Sequence, residues 1–434
     1  MRLLAFLLIV SLAGLTLSAQ SPSPVDDAFA TFFAAPSRAE AAQLVGTVLA
    51  TTIRFDDAYA RLKKGRTYTE IPPSEMAYRW KHATGATFRN VVDVPDTYDP
   101  AKAWPVRVQL HGGIGRPSPQ DPRQAPGPPR PGAPAPANRI AGEEQFYLYP
   151  SAWIDAQWWD EEGVDNILRL VDVVKRRYNI DENRIYITGI SDGGTGVYYM
   201  ALRSPTTWSS YLPLNGMIGV LRGAANGADG EMHGNNFINA PLYIVNGEND
   251  PLYPVAAVEP YVRWLEGMGV SLIFRPQAKA VHNTAWWPTE KASYETFVHA
   301  HPRVPHPATL TWETARTDKF NRNKWLVITG VRTEGTYDTS FGDAGMFTHV
   351  KASGRADVTR KGNDFDVRSR DVSSLTLLLS PDVVDFSKPV TVHVNGKPVF
   401  TGDVKADPAT LLKWAAEDND RTMLYGAELK IAVR

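Results

Sequence analysis

The chain has no cysteine among its 434 residues. That excludes disulfides, thiol catalysis, cysteine-ligated zinc and a lipidated-cysteine anchor. A dominant charge of either sign is also lacking: 46 basic residues against 47 acidic ones leave a formal net charge of −1. Such a balance gives no support to nucleic-acid binding or to a strongly anionic partner. Beyond the N-terminus no apolar run is long enough to span a bilayer, so no membrane contact is expected after export. There is no H-E-x-x-H pattern, no P-loop and no dinucleotide-binding glycine pattern, and the acid pairs Asp26-Asp27 and Asp56-Asp57 read as solvated helix faces. Neither a metal nor a cofactor is expected.

What is present starts with an address. Arg2, the apolar run Leu3–Leu17 and the small pair Ser18-Ala19 read as a signal peptide over 1–19, with a retained anchor helix as the alternative. The protein is therefore expected in the periplasm or outside the cell. With 43% hydrophobic residues, it can be held by core burial without cross-links.

Periodicity divides the rest. Residues 20–70 read as an N-terminal helical segment packed on the main domain, broken at Pro36, with Ser37 as N-cap and Glu40 behind it. From Met76 the period becomes two, with a hairpin near Gly85. Strands at Pro105–Leu110, Phe146–Pro150, Arg184–Thr188, Tyr211–Leu214, Pro241–Val245 and Ser271–Arg275 then alternate with helices at Asp165–Tyr178 and Val255–Met268. That alternation predicts an α/β domain over 71–302, a mostly parallel sheet with helices on both faces. A stretch rich in Pro, Gly and Ala at 116–138 reads as an exposed loop. After the linker at Pro302–Pro307, residues 303–434 read as a β-rich domain, with hairpin signals at Asn395-Gly396 and Lys361-Gly362-Asn363 and one helix near Pro408–Glu417.

The chemistry concentrates in a few places. Gly189-Ile190-Ser191-Asp192-Gly193 fits the G-x-S-x-G elbow, with an apolar strand before it and a helix-compatible segment after it. A serine hydroxyl is a weak nucleophile, so it must stand exposed beside a base. In the order Ser, Asp, His, the candidates are Asp250 in Gly247–Pro251 and His282, both on loops after successive strands. Glu248 competes with Asp250, and His233 competes with His282. His299, His301 and His306 fall near the linker and are expected to face solvent. Glycines after His111 let backbone N–H groups approach an oxyanion. One donor is expected from Gly112, Gly113 or Ile114 and a second from the Asp192 N–H; His111 itself reads as a structural hydrogen-bonder. Trp158, Trp159, Trp286 and Trp287, with Trp153, flank these loops and are candidates for stacking on substrate, with ordinary packing as the alternative.

Leu110-His111-Gly112-Gly113, Thr188–Gly194, Gly247–Pro251 and His282 together resemble the α/β-hydrolase superfamily over about 86–299. The run Tyr178–Tyr186 is similar to the polyhydroxybutyrate depolymerase and feruloyl esterase branch, and shares part of its pattern with the prolyl-oligopeptidase branch. No glycine precedes His282, where relatives often carry one. The resemblance implies an α/β-hydrolase fold and a Ser-His-Asp triad without cofactor, acting on acylated polysaccharides or short polyesters. A serine peptidase and a non-catalytic glycan-binding protein are the alternatives, and the C-terminal β domain is a candidate for carbohydrate contact.

Overall fold

Helix signals at the N-terminus become three helices: α1 (Pro24–Ala34), α2 (Arg38–Leu49) and α3 (Phe55–Lys64). In this computed structural model the described residues are 23–72, 74–118, 140–223, 232–332, 346–347 and 352–434. The expected signal peptide and most of the Pro-rich stretch lie outside them. Ser37 caps α2 by accepting from the Glu40 N–H at 3.2 Å. The apolar faces of these helices, with Phe29, Phe32, Val48 and Leu62, do not cover the main sheet described below. They close a core with Leu411, Leu412 and Ala415 of a C-terminal helix, and meet the main domain through polar contacts, Arg176 donating to the Ala35 carbonyl at 3.0 Å.

Next come β1 (Glu75–Lys81), β2 (Thr87–Asp93), β3 (Trp104–Leu110) and β4 (Phe146–Tyr149), followed by α4 (Glu161–Arg177), β5 (Ile180–Ile190) and α5 (Asp192–Arg203). Then follow β6 (Tyr211–Leu214), β7 (Leu242–Gly247), α6 (Val255–Gly267), β8 (Leu272–Gln277) and α7 (Trp287–Ala300). They form one eight-stranded sheet in the order β1-β2-β4-β3-β5-β6-β7-β8. β1 and β2 are antiparallel; from β4 to β8 every pairing is parallel. β6 and β7 are buried along their whole length, as strands covered on both faces must be. The parallel strands deliver their C-terminal ends, and the loops that follow, to one edge of the sheet.

The β-rich region comprises β9 (Thr309–Thr314), β10 (Arg322–Asn323), β11 (Leu326–Val331), β12 (Gly354–Lys361), β13 (Asp364–Arg370), β14 (Val372–Leu379), β15 (Val390–Val394) and β16 (Lys397–Gly402). It ends with α8 (Pro408–Asp418) and β17 (Ala427–Ala432). A four-stranded sheet, β10-β11-β14-β17, and a five-stranded one, β16-β15-β13-β12-β9, share a single apolar core that includes Trp312, Val358, Phe365, Leu375 and Leu377. Asn395 and Gly396 both take positive φ, 50° and 77°, in the two-residue turn between β15 and β16.

Candidate active site

Strand β5 ends at Ile190, and α5 begins at Asp192. Ser191 alone makes the turn, at φ 59° and ψ −121°, a conformation that costs free energy for any residue with a Cβ. The turn is tight enough to dictate its neighbours. A Cβ on Gly189 would lie 2.2 Å from the Gly193 carbonyl oxygen, and one on Gly193 would lie 2.2 Å from that of Leu110. The elbow therefore needs glycine at both positions.

The loops after β7 and β8 bring the partners. His282 Nε2 lies 2.8 Å from Ser191 Oγ, and His282 Nδ1 lies 2.6 Å from Asp250 Oδ2. Asp250 is buried, and its other oxygen accepts the Leu252 and Tyr253 N–H groups at 2.8 and 2.9 Å. Those two bonds fix the carboxylate, which in turn fixes the imidazole. Glu248 is exposed and accepts from the Lys279 N–H at 2.8 Å, whereas the histidine pairs with Asp250. His233 is buried beside Glu313 at 3.6 Å, far from the elbow in its bonding. Among the described residues no cluster of acids and histidines is built to hold a metal.

Gly112 lies against the nucleophile: a Cβ there would sit 2.7 Å from Ser191 Cβ. Gly113 takes φ 71°, so the loop after β3 turns sharply over the serine. The Ile114 N–H, however, donates to Asp192 Oδ2 at 3.0 Å. That bond removes Ile114 from the candidate oxyanion donors and leaves Gly112 and Gly113 beside the Asp192 N–H. It also gives the Asp192 side chain the task of holding the loop. His111 Nδ1 is 2.9 Å from the Gly112 carbonyl and its Nε2 accepts the Ala152 N–H at 3.2 Å, an arrangement that fits a neutral ring. Burial pulls its pKa below the usual histidine value in the same direction.

No family model matches the chain. A bifunctional acetylxylan esterase/xylanase from Neocallimastix patriciarum is 25% identical over 130 residues, 29% of this chain and 17% of the relative. The chain thus spans less than a fifth of that relative's length. Among solved structures, a thermostable esterase is 21% identical, with 53% of this chain and 63% of that one covered and a TM-score of 0.40. A CE1 ferulic acid esterase from the anaerobic fungus Anaeromyces mucronatus is 15% identical, with 55% and 94% covered and a TM-score of 0.36. The strand order, together with a serine on the turn between β5 and the next helix, decides the fold. It is the α/β-hydrolase fold.

Within that α/β-hydrolase frame the tryptophans need correcting. Trp158 is fully buried, packs beneath α5 and donates its indole N–H to the His111 carbonyl at 2.9 Å. Trp159 and Trp286 are 4% and 7% exposed and belong to apolar clusters, so neither offers a face for stacking. Trp287 is half-buried, tied by its indole N–H to the Ala141 carbonyl at 2.9 Å. His306, expected in solvent, is buried and bonded to the Thr422 carbonyl. Sequence reasoning missed Tyr253, whose ring meets His282 edge-on at 5.7 Å, and the exposed Leu252 and Val281. Their signal was adjacency: each lies within three residues of the acid or the base.

Proposed function

We propose that this protein is a serine carboxylic-ester hydrolase that works through an acyl-enzyme on Ser191. The reading is carried by one observation, the chain from Ser191 Oγ through both ring nitrogens of His282 to Asp250, at 2.8 and 2.6 Å. His282 takes the Ser191 proton as Oγ attacks the acyl carbon, while Asp250 holds the ring in the required tautomer and stabilises the imidazolium. The carbonyl oxygen, becoming an oxyanion, is received by the Asp192 N–H and by one from Gly112 or Gly113. The imidazolium then protonates the leaving alcohol. Water, deprotonated by the same ring, releases the acid and restores the hydroxyl.

For substrate class, we assign acyl groups on polysaccharides or short polyesters. Support comes from the partial similarity to a relative named an acetylxylan esterase/xylanase. In the same reading the protein is secreted or periplasmic, and the β sandwich contacts carbohydrate. Labelling by a fluorophosphonate probe, present in the wild type and absent in Ser191→Ala, tests the nucleophile. Short p-nitrophenyl esters and acetylated xylan, set against aminoacyl-amides, test the bond cleaved. Turnover of the amides alone would replace the ester reading with a peptidase, and no labelling at all would leave the non-catalytic one.

A further inference from the structure

Lys324 occupies the tight turn between β10 and β11, 7% exposed and at φ 50°. A non-glycine residue there costs free energy, and burying an ammonium costs more. Its backbone is well held: the N–H donates to Thr206 Oγ1 at 3.0 Å, and the carbonyl accepts from Arg322 Nε at 2.6 Å. Its ammonium is not held. Among the described residues no group accepts a hydrogen bond from Nζ or pairs with it.

This lysine lines a cavity of about 340 Å³ between the base of the sheet and the β sandwich. The walls include Ile238, Pro241, Pro302, Val304 and Leu310. At its rim Ile238 and Val304 are 37% and 59% exposed, unusual for apolar side chains. Of the other polar walls, Asn239, Ser209 and Arg303 are already committed, while the buried Trp208 indole N–H has no partner among the described residues. Asn239 exchanges both amide groups with the Thr311 backbone, and Ser209 Oγ donates to the Ile185 carbonyl at 2.7 Å. Arg303 spends its guanidinium on Asn183, Asp420 and Thr422. Ser209 and Pro241 stand just before β6 and β7, so the cavity lies at the end of the sheet opposite Ser191.

We propose that this cavity is a binding site for a small amphipathic carboxylate, its anionic end on Lys324 and its apolar body against Ile238, Pro241 and Val304. A phosphate or sulfate fits worse, because a single free cation among apolar walls would leave most of its oxygens without donors. Burial, with Arg303 nearby, pulls the Lys324 pKa down to about 7. Arg303 is itself paired with Asp420, so the net field at the ammonium lacks a counter-ion of its own. An anion supplies one, and raises the lysine pKa again.

The test is calorimetric titration of the full chain with hexanoate and benzoate, hexanol and inorganic phosphate serving as controls, at about pH 8 in two buffers of different ionisation heat. Saturable carboxylate binding with proton uptake is expected, and neither control should match it. Lys324→Met should weaken binding at least about tenfold, while Lys324→Arg keeps most of it. Val304→Asp, at the exposed rim, should repel the same ligands and covers the case in which Lys324→Met fails to fold. Affinity unchanged in Lys324→Met, or in Val304→Asp should Lys324→Met not fold, would overturn the proposal. So would the absence of saturable binding at millimolar carboxylate.

Discussion

The two ends of the eight-stranded sheet treat buried polar groups in opposite ways. At the base, the residues after α8 dock under the α/β domain with their polar groups matched. Arg421 reaches Glu182 at 2.7 and 3.0 Å and Asn179 at 3.0 Å. Arg322 meets Asp418 through two bonds of 2.7 Å, and Lys175 donates to the Asp418 carbonyl at 2.8 Å. Arg303 adds Asp420 at 2.7 Å. At the end that carries Ser191, the polar chain runs from Asp250 through His282 and stops at a hydroxyl on a strained turn. A network with partners throughout fixes a structure; one that ends on an unspent nucleophile is poised to react. Lys324 belongs to the base by position and to the Ser191 end by its unspent charge, which is why it suggests a ligand.

Breaking the catalytic chain should cost most in rate and least in stability. Ser191→Ala is expected to lower kcat on an ester by on the order of 10⁶, with the unfolding temperature nearly preserved, since alanine keeps the Cβ and the same turn and loses only the hydroxyl. Steady-state kinetics beside thermal unfolding checks both halves. Asp250→Asn keeps the shape but gives the histidine the wrong tautomer, and kcat should fall by roughly 10⁴. If instead it loses only a few-fold, Glu248 or another acid is serving. Breaking the base should reverse the pattern. Asp420→Ala leaves Arg303 and Lys175 buried without their counter-ion and should cost about 3–5 kcal/mol by denaturant unfolding, with kcat little changed while the chain stays folded. Burial opposes the Asp420 charge, yet Arg303 and Lys175 outweigh it and hold the carboxyl below the usual carboxylate range. A depressed pKa gives stability that is complete above the unfolded value, near ~4, and lost as pH falls below it. Wild-type stability should therefore decline below about pH 4 more steeply than that of Asp420→Ala.

How far each end could be read from sequence follows the same division. The triad candidates were legible because each stands on the loop after a strand and in a chain order that permits the geometry. Helix α7 was not legible. Its buried face carries Glu290 and Glu295 beside Tyr294 and Phe297, so the apolar period is broken. Those glutamates are satisfied by Arg275, Gln277 and Arg107, residues on other elements that only the fold brings near. The tryptophans misled for a related reason. Adjacency in sequence to the site says nothing about which face of the sheet a ring occupies, and large apolar rings fall to the core unless something holds them out. Tyr253 had no periodicity to announce it; its N–H, bonded to the Asp250 carboxylate, places it.

The smallest expected effect lies between the two ends in kind, at a side chain that is catalytic by neighbourhood and structural by bonding. Under the proposed mechanism Asp192 offers its N–H to the oxyanion, and its carboxylate accepts the Ile114 N–H at 3.0 Å. The backbone donor survives any substitution; the tether does not. Asp192→Ala should therefore free the loop that carries Gly112 and Gly113, lowering kcat by about 10- to 100-fold, equivalent to ~1.4–2.7 kcal/mol of transition-state stabilisation. KM should move less, because loop position matters most where the oxyanion develops. Asp192→Asn retains an oxygen able to accept the same bond and should keep most of the rate. Equal losses in both variants would mean that the negative charge, rather than the tether, is what the reaction needs, and the loop would then have to be held by its own turn at Gly113.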